Sequence, residues 1–308
     1  MGDAATEWAP GPLTVRAPAT CANLGPGFDS LGLCLDLTDV VSAEVTPGGT
    51  EVVVHGEGAS GLPRDDSHLV VTAMRRAFER WGTGQPGLRV ECHNTIPQGR
   101  GLGSSAAAIV SGLRLAQALA VDLRVADAEA LQLTAAWEGH ADNVAACLLG
   151  GLTVAWTAGT SLDAVRLDVD RRVVPVVLCA AQPLPTQVSR AALPALVTHA
   201  HAARNAAYCA LLVTALTARP DLLLPATQDL LHQESRRPAM PESMRLVDEL
   251  RAAEIPAVIS GAGPSVLALC TTTQATLVAD HVPVGWRTMR LRVDPLGARI
   301  MPRRPGPQ

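Results

Sequence analysis

Three glycines at alternate positions, Gly99, Gly101 and Gly103, run into the pair Ser104-Ser105 and then into good helix formers from Ala106 to Leu119. Glycine lets a backbone approach a bulky ligand closely and adopt positive φ without steric cost. The N–H groups that open a helix have no partner inside it. Such a helix start attracts an anion, by about 0.3–1 kcal/mol at an exposed site. The chemistry this stretch is built for is the holding of phosphate. Two other readings stand beside that one. Gly101-Leu-Gly-Ser-Ser-Ala106 also fits the G-x-G-x-x-G/A turn of a dinucleotide fold, with Asp122 about twenty residues on. A purely structural turn is the third. A Walker A loop is excluded, because it needs a lysine and all 25 basic residues of this chain are arginine.

Candidate partners for a phosphate donor lie elsewhere in the chain. Asn23 and Asp29 sit in a Gly/Pro-rich segment, Ala19 to Gly32, where both are also ordinary turn residues. In Glu138-Gly-His-Ala-Asp-Asn143, a continuous helix would set Glu138 and Asp142 four apart on one face. Two carboxylates there repel unless a cation or an ammonium group lies between them. Mg²⁺ held by a carboxylate and nucleotide phosphates would suit, and helix capping by Asp142 or Asn143 is the alternative. Arg190 and Arg236 follow proline-rich or irregular segments. Arginine grips a carboxylate bidentately, although a surface arginine is more often solvated. Gly261-Ala-Gly-Pro-Ser265 is a second glycine turn, too short to specify a ligand by itself.

The elements that must carry these residues read as a mixture of strands and helices, α+β in both halves. Strands are expected at 13–18 and 88–93, and a hairpin from 40–45 and 51–54 turning at Pro47-Gly-Gly. Helices are expected at 66–81, 105–120 and 126–137, with a short one at 144–149 and a strand returning at 152–156. A polar stretch, Ala158 to Asp163, divides an N-terminal domain (1–160) from a C-terminal one (161–308). The second half reads as strands at 165–169 and 173–179. Helices follow at 195–218, 226–232 and 241–253, then strands at 257–260 and 266–270, a helix at 273–281 and a strand at 288–293.

Composition bounds the partners. The 308 residues are 48% hydrophobic with a mean hydropathy of +0.20, which excludes disorder. No apolar run approaches the roughly 18–20 residues of a membrane span, and the first residues do not resemble a signal peptide. A net charge of −4 gives no footing for nucleic acid. Seven cysteines without a C-x-x-C pair read as buried small hydrophobes in a reducing cytoplasm.

Taken together, three motifs resemble in order and spacing those of the GHMP kinases. They are Pro18-Ala-Thr-Cys-Ala-Asn-Leu-Gly-Pro-Gly-Phe-Asp-Ser-Leu-Gly32, Pro97-Gln-Gly-Arg-Gly-Leu-Gly-Ser-Ser-Ala-Ala107 and Ser260-Gly-Ala-Gly-Pro-Ser265. The Asn-Leu-Gly-Pro-Gly-Phe-Asp form of the first, Glu-Gly-His-x-Asp-Asn at 138–143, Thr186-x-x-x-Arg-x-x-Leu-Pro194 and Leu231-His-Gln-x-x-Arg236 narrow the resemblance to the branch that phosphorylates L-homoserine. It implies an N-terminal domain like ribosomal protein S5 domain 2 and a ferredoxin-like C-terminal domain, in a cytoplasmic homodimer.

The same resemblance implies ATP with its phosphates on the loop Pro97, Gln98, Gly99, Arg100, Gly101, Leu102, Gly103, Ser104, Ser105, Ala106 and Ala107. It implies Mg²⁺ at Ser105, with Glu138 as the carboxylate, since the position some relatives use is here Gln132. It sets Asn23 near the reacting hydroxyl, Asp29 and Asp142 against the substrate ammonium, and His140 and Asn143 in the same wall. Arg190 and Arg236, with Thr186 nearby, would hold the α-carboxylate. The expected reaction is direct in-line attack, with Asn23, Asp142 and Asn143 at the reacting centre and no dedicated base. A mevalonate-type kinase is the runner-up, and its substrate has no ammonium group for Asp29 and Asp142 to meet. A nicotinamide-dependent dehydrogenase is the reading from another class. Cys21 stands where the family usually has serine, and Ala141 where it usually has proline.

Overall fold

A computed structural model describes residues 6–121 and 123–302. Asp122, the acid of the dinucleotide reading, lies outside the described residues. The first sheet is built on β1 (Leu13–Ala22) and β2 (Leu31–Thr46), antiparallel over their length apart from a bulge at Pro18/Ala19. Proline lacks the N–H that a ladder needs, which accounts for the irregularity there. β3 (Thr50–Gly56), α1 (Leu69–Trp81) and β4 (Gly87–Asn94) follow. β4 alternates cleanly: Leu88, Val90 and Cys92 point into the core, while Arg89, Glu91 and His93 face out.

The hairpin expected across Pro47-Gly-Gly does not form. β4 pairs antiparallel with β2, and β3 pairs parallel with β4 on its other side, so the order is β1-β2-β4-β3. The glycine turn lies across the start of β4, where Leu88 N–H bonds the Gly49 carbonyl at 3.1 Å. α1 then serves as the crossover that a parallel pair requires. It buries Val70, Val71, Ala73, Met74, Ala77 and Phe78 and packs chiefly against the helix that follows the glycine loop.

α2 (Ser104–Leu119) and α3 (Asp127–Glu138) pack beside it, and α4 (Asp142–Leu149) fits against β1, β2 and β5. β5 (Leu152–Ala158) pairs with β2, and β6 (Ser161–Leu167) pairs with β5, so the first sheet continues beyond the turn at Gly159-Thr160.

The second sheet has the order β10-β7-β9-β8, antiparallel throughout, from β7 (Val174–Cys179), β8 (Ala257–Ile259), β9 (Val266–Cys270) and β10 (Arg287–Arg290). Between β7 and β8 run α5 (Thr186–Ala191), α6 (His199–Thr217), α7 (Leu223–Ala226), α8 (Gln233–Arg236) and α9 (Pro241–Ala252). α10 (Thr272–Leu277) starts with a Thr271/Gln274 capping box. α9 buries Met244, Leu246, Val247 and Leu250 against Ile259 and Val266.

The helix expected at 226–232 is replaced by two short turns. Between them the Asp229 carboxylate accepts the N–H groups of Leu231, His232 and Gln233 at 3.1, 3.0 and 2.7 Å. An aspartate that binds the backbone ahead of it breaks a helix and caps the next. The chain ends on the first sheet, where β11 (Arg299–Ile300) pairs with β1. This mostly antiparallel arrangement is not the parallel dinucleotide fold. No helix among the described residues is long and apolar enough to cross a membrane.

Candidate active site

Gly99, Gly101 and Gly103 all have positive φ, from 64° to 72°. Two of them are fixed by contact as well as by conformation. A Cβ on Gly101 would lie 2.0 Å from the Ser260 carbonyl oxygen, and one on Gly103 would lie 2.0 Å from Thr20 Oγ1. Both neighbours are tied to the loop. Ser260 Oγ donates to the Gly101 carbonyl at 2.6 Å, Thr20 N–H donates to the Leu102 carbonyl at 3.1 Å, and Thr20 Oγ1 donates to Asn143 Oδ1 at 2.8 Å. Thus the three glycine-bearing segments clamp one another. Gly103 is the N-cap of α2, which has no side-chain cap, so its first N–H groups face the cavity side.

The loop residues divide by use. Gly99, Gly101, Leu102, Gly103, Ser104 and Ser105 line a cleft of about 80 Å³. Gln98, Ser104, Ser105 and Ala107 line a second cavity beyond it. Pro97 and Ala106 are buried behind the loop. The Arg100 guanidinium is committed to the carbonyls of Ala180, Gln98 and Ala181 at 2.8–2.9 Å, which pins the loop to the second half of the chain.

Glu138 and Asp142 reach the cleft from two helices rather than one. α3 stops at Glu138 because Gly139 turns at φ 91°, and α4 starts at Asp142, so the expected i,i+4 face does not exist. The carboxylates converge all the same. Glu138 Oε1 accepts the Ser105 hydroxyl at 2.5 Å. Burial pushes the Glu138 carboxyl up, and the Ser105 bond opposes that. His140 stands between the acids. Its Nδ1 is 3.4 Å from Asp142 Oδ1, without hydrogen-bond alignment, and its Nε2 is 4.0 Å from Glu138 Oε1. Asp142 chiefly, aided by Glu138, raises the imidazole's affinity for a proton against the cost of burial. Asp142 itself is buried and accepts the Asn143 N–H at 2.7 Å.

Ser105 Oγ and the Glu138 carboxylate are hard oxygen donors brought together beside a phosphate loop, and they fit Mg²⁺. Gln132 is exposed and lines a neighbouring cleft with Asp29, His140 and Trp156. His55, Glu91 and His93 also meet, on the outer face of the first sheet. That trio is solvent-exposed, and both imidazoles already bond Glu91, at 3.1 and 3.2 Å.

The first motif supplies a strained turn. Asn23, Leu24 and Asp29 have φ of 66°, 51° and 52°, the left-handed region that side chains other than glycine rarely occupy. Asn23 holds the turn together: its Nδ2 donates to the Gly261 carbonyl at 2.9 Å and its Oδ1 accepts the Asp29 N–H at 2.9 Å. Arg190, in the last turn of α5, grips Asp29 with both Nη atoms, at 2.9 and 3.2 Å. The acid expected for the ammonium and the arginine expected for the carboxylate therefore bond each other, Arg190 from this cleft and Asp29 from the neighbouring one. Arg236 is 1% exposed. Its Nε donates to the Ser189 carbonyl, its Nη1 to the Gly261 carbonyl and His232 Nδ1, and its guanidinium carbon lies 5.6 Å from the centre of the Phe28 ring. Asn23, His140, Asp142, Asn143, Thr186, Arg190 and Arg236 all line the same cleft as the loop.

Two residues that sequence reasoning missed belong to the second cavity. It has about 180 Å³ and is walled by Val41, Leu62, Leu69, Val70, Ala107 and Ala108. His68 Nε2 and Ser111 Oγ are buried in its lining and have no hydrogen-bond partner among the described residues. His68 Nδ1 accepts the Val70 N–H at 3.3 Å, so the proton sits on Nε2 and makes it a donor. The available signal was spacing: Ser111 lies two helical turns beyond Ser104, on the same face of α2.

The sequence profile of the GHMP kinases N terminal domain matches residues 68–151, and that of the GHMP kinases C terminal region matches residues 215–284. The chain belongs to the GHMP kinases. A homoserine kinase of Streptomyces avermitilis is 52% identical over 293 residues, 94% of this chain and 96% of its own. The homoserine kinase of Clavibacter michiganensis is 46% identical over 296 residues, 94% and 93% of the two chains. The crystal structure of homoserine kinase from Cytophaga hutchinsonii superimposes with a TM-score of 0.84 at 26% identity, over 94% of this chain and 97% of that one. Within the GHMP kinases, the chain is a member of the homoserine kinase family.

Proposed function

We propose that the protein transfers the γ-phosphoryl group of ATP to the hydroxyl of L-homoserine, giving O-phospho-L-homoserine and ADP on the cytoplasmic route to threonine. The observation that carries this is the charge layout of one cleft. Asp142, Arg190 and Arg236 line it beside an open helix N-terminus, and Asp29, from the lining of the neighbouring cleft, is paired with Arg190. A zwitterionic amino acid offers a replacement for each half of the Asp29–Arg190 pair: its ammonium takes the acid and its carboxylate takes the arginine. The ion pair opens and no charge is left unmatched.

The phosphates of ATP rest on the N–H groups of the glycine loop and the start of α2. Its base enters the apolar cavity, where His68 Nε2–H and the Ser111 hydroxyl meet polar atoms of the ring edge. Ser105 and Glu138 would hold Mg²⁺, which when bound would supply positive charge beside the phosphoryl oxygens. With the ammonium and carboxylate fixed, the substrate hydroxyl points toward the loop beside Asn23, with Asp142 and Asn143 behind it. Phosphoryl transfer of this kind depends mainly on positioning and charge. The hydroxyl oxygen attacks phosphorus in line as the bond to ADP breaks, and its proton leaves late, to a phosphoryl oxygen or water.

Truncated alcohols test the two-ended recognition. 4-Hydroxybutyrate lacks the ammonium and 3-aminopropan-1-ol lacks the carboxylate; each is expected to be phosphorylated with a kcat/KM at least 100-fold below that of L-homoserine. If either comes within tenfold, one of the two charged ends does not bind as described.

A further inference from the structure

His232 lies outside the cleft lining, yet it joins the two ends of it. The side chain is 1% exposed. Nε2 is 2.9 Å from the carbonyl of Gly25, in the turn that carries Asn23 and Asp29, and Nδ1 is 3.0 Å from Nη1 of Arg236. The tautomer follows from the partners. A carbonyl only accepts, so Nε2 carries the proton, and a guanidinium only donates, so Nδ1 is bare. Burial disfavours the charged imidazole, as does the Arg236 guanidinium, against the opposing pull of the Asp229 carboxylate 3.6 Å from Nε2. The ring stacks on Phe28 with centroids 4.9 Å apart, and Arg236 lies over the same phenyl ring. Asp229 fixes the backbone beneath by accepting the N–H of His232 and of Gln233.

Arg236 thus spends Nε and Nη1 on Ser189, Gly261 and His232. Its Nη2 takes part in none of these bonds. We propose that His232 is a positioning residue whose Nδ1 holds the Arg236 guanidinium in place, and so sets the affinity for the substrate carboxylate, while its Nε2–H bond to Gly25 fixes the tautomer that leaves Nδ1 an acceptor. It accepts from the arginine on one ring nitrogen and donates to the turn on the other. This rests on the proposed reaction, in which Arg236 meets that carboxylate.

Two substitutions separate the two bonds. In His232→Asn the amide oxygen falls where Nδ1 was and still accepts from Arg236. In His232→Gln the amide reaches Gly25 and leaves Arg236 without its acceptor. Steady-state ADP release should give a homoserine KM within about threefold of the unaltered enzyme for Asn, and at least tenfold higher for Gln. The ATP KM should stay unchanged in both, and kcat should move less than the homoserine KM. Thermal melting of each variant checks that it is folded at the assay temperature. An equal rise in homoserine KM for both variants, or an ATP KM that rises in step, overturns the proposal. If the Gln variant does not fold, a folded Asn variant with a homoserine KM raised more than tenfold overturns it, and one within threefold supports it. Absence of homoserine-dependent ADP release from the unaltered enzyme would overturn the reaction itself instead.

Discussion

Glu138 is partly buried, carries a carboxyl pushed up by that burial, and has the Ser105 hydroxyl as its nearest donor. A carboxylate so placed is costly unless a cation relieves it. Glu138→Gln keeps the size of the side chain and an oxygen for Ser105 but removes the charge. If Glu138 holds the metal, the variant should lose at least 100-fold in kcat and need more Mg²⁺ for half-maximal rate, with the fold intact. An unchanged Mg²⁺ dependence would place the metal on other ligands. At this scale the residue types were legible, because Asn23, Asp29, His140, Asp142, Arg190 and Arg236 each stand out as polar groups in apolar or turn-rich segments. Their pairing was not. Asp29 and Arg190 are 161 positions apart, and nothing local states that they bond each other. His68 was missed because an isolated histidine at a helix start reads as a cap, and Ser111 because a lone serine in the middle of an apolar helix reads as packing.

Elements deliver these residues through a few backbone anchors. Asp39, on β2, accepts the N–H groups of Thr95 and Ile96 on one oxygen, at 2.6 and 2.9 Å, where the chain leaves β4 for the glycine loop. Burial raises its carboxyl to about 6, against 3.8 when exposed, although both N–H bonds favour the charged form. Its contribution to stability is therefore fully present below pH 3.8 and is lost as pH rises through 6. Asp39→Asn keeps the accepting oxygen and removes the titration. It should melt several degrees above the unaltered protein at pH 7.5, for a gain of about 3 kcal/mol, and the gap should shrink on acidification and close below pH 3.8. A gap independent of pH would show that Asp39 is not the group responsible.

The element pattern was largely readable from periodicity, as in the alternation of β4 and the apolar face of α1. Two expectations failed for tertiary reasons. The turn at Pro47-Gly-Gly suits a hairpin, but β4 occupies the place beside β2 and sends β3 to the edge. The apolar residues at 226–232 suit a helix, but Asp229 captures three backbone N–H groups and ends it.

The whole molecule makes the site only where its two halves meet. Gly101 is held by Ser260, Asn23 by Gly261, and Arg100 by the carbonyls of Ala180 and Ala181, so the loop of the first half is set by turns of the second. Motif order announced that three distant segments act together; the contacts give the reason, since each closes the others' hydrogen bonds. The central claim is that this cleft phosphorylates a zwitterionic amino alcohol with ATP. It is tested most directly by coupled ADP release with L-homoserine, mevalonate and galactose in parallel, at equal concentrations with ATP and Mg²⁺. ADP release that depends on L-homoserine, at a rate at least 100-fold above the other two, is the expected result. Turnover of mevalonate or galactose equal to that of L-homoserine, or none with L-homoserine, would contradict it.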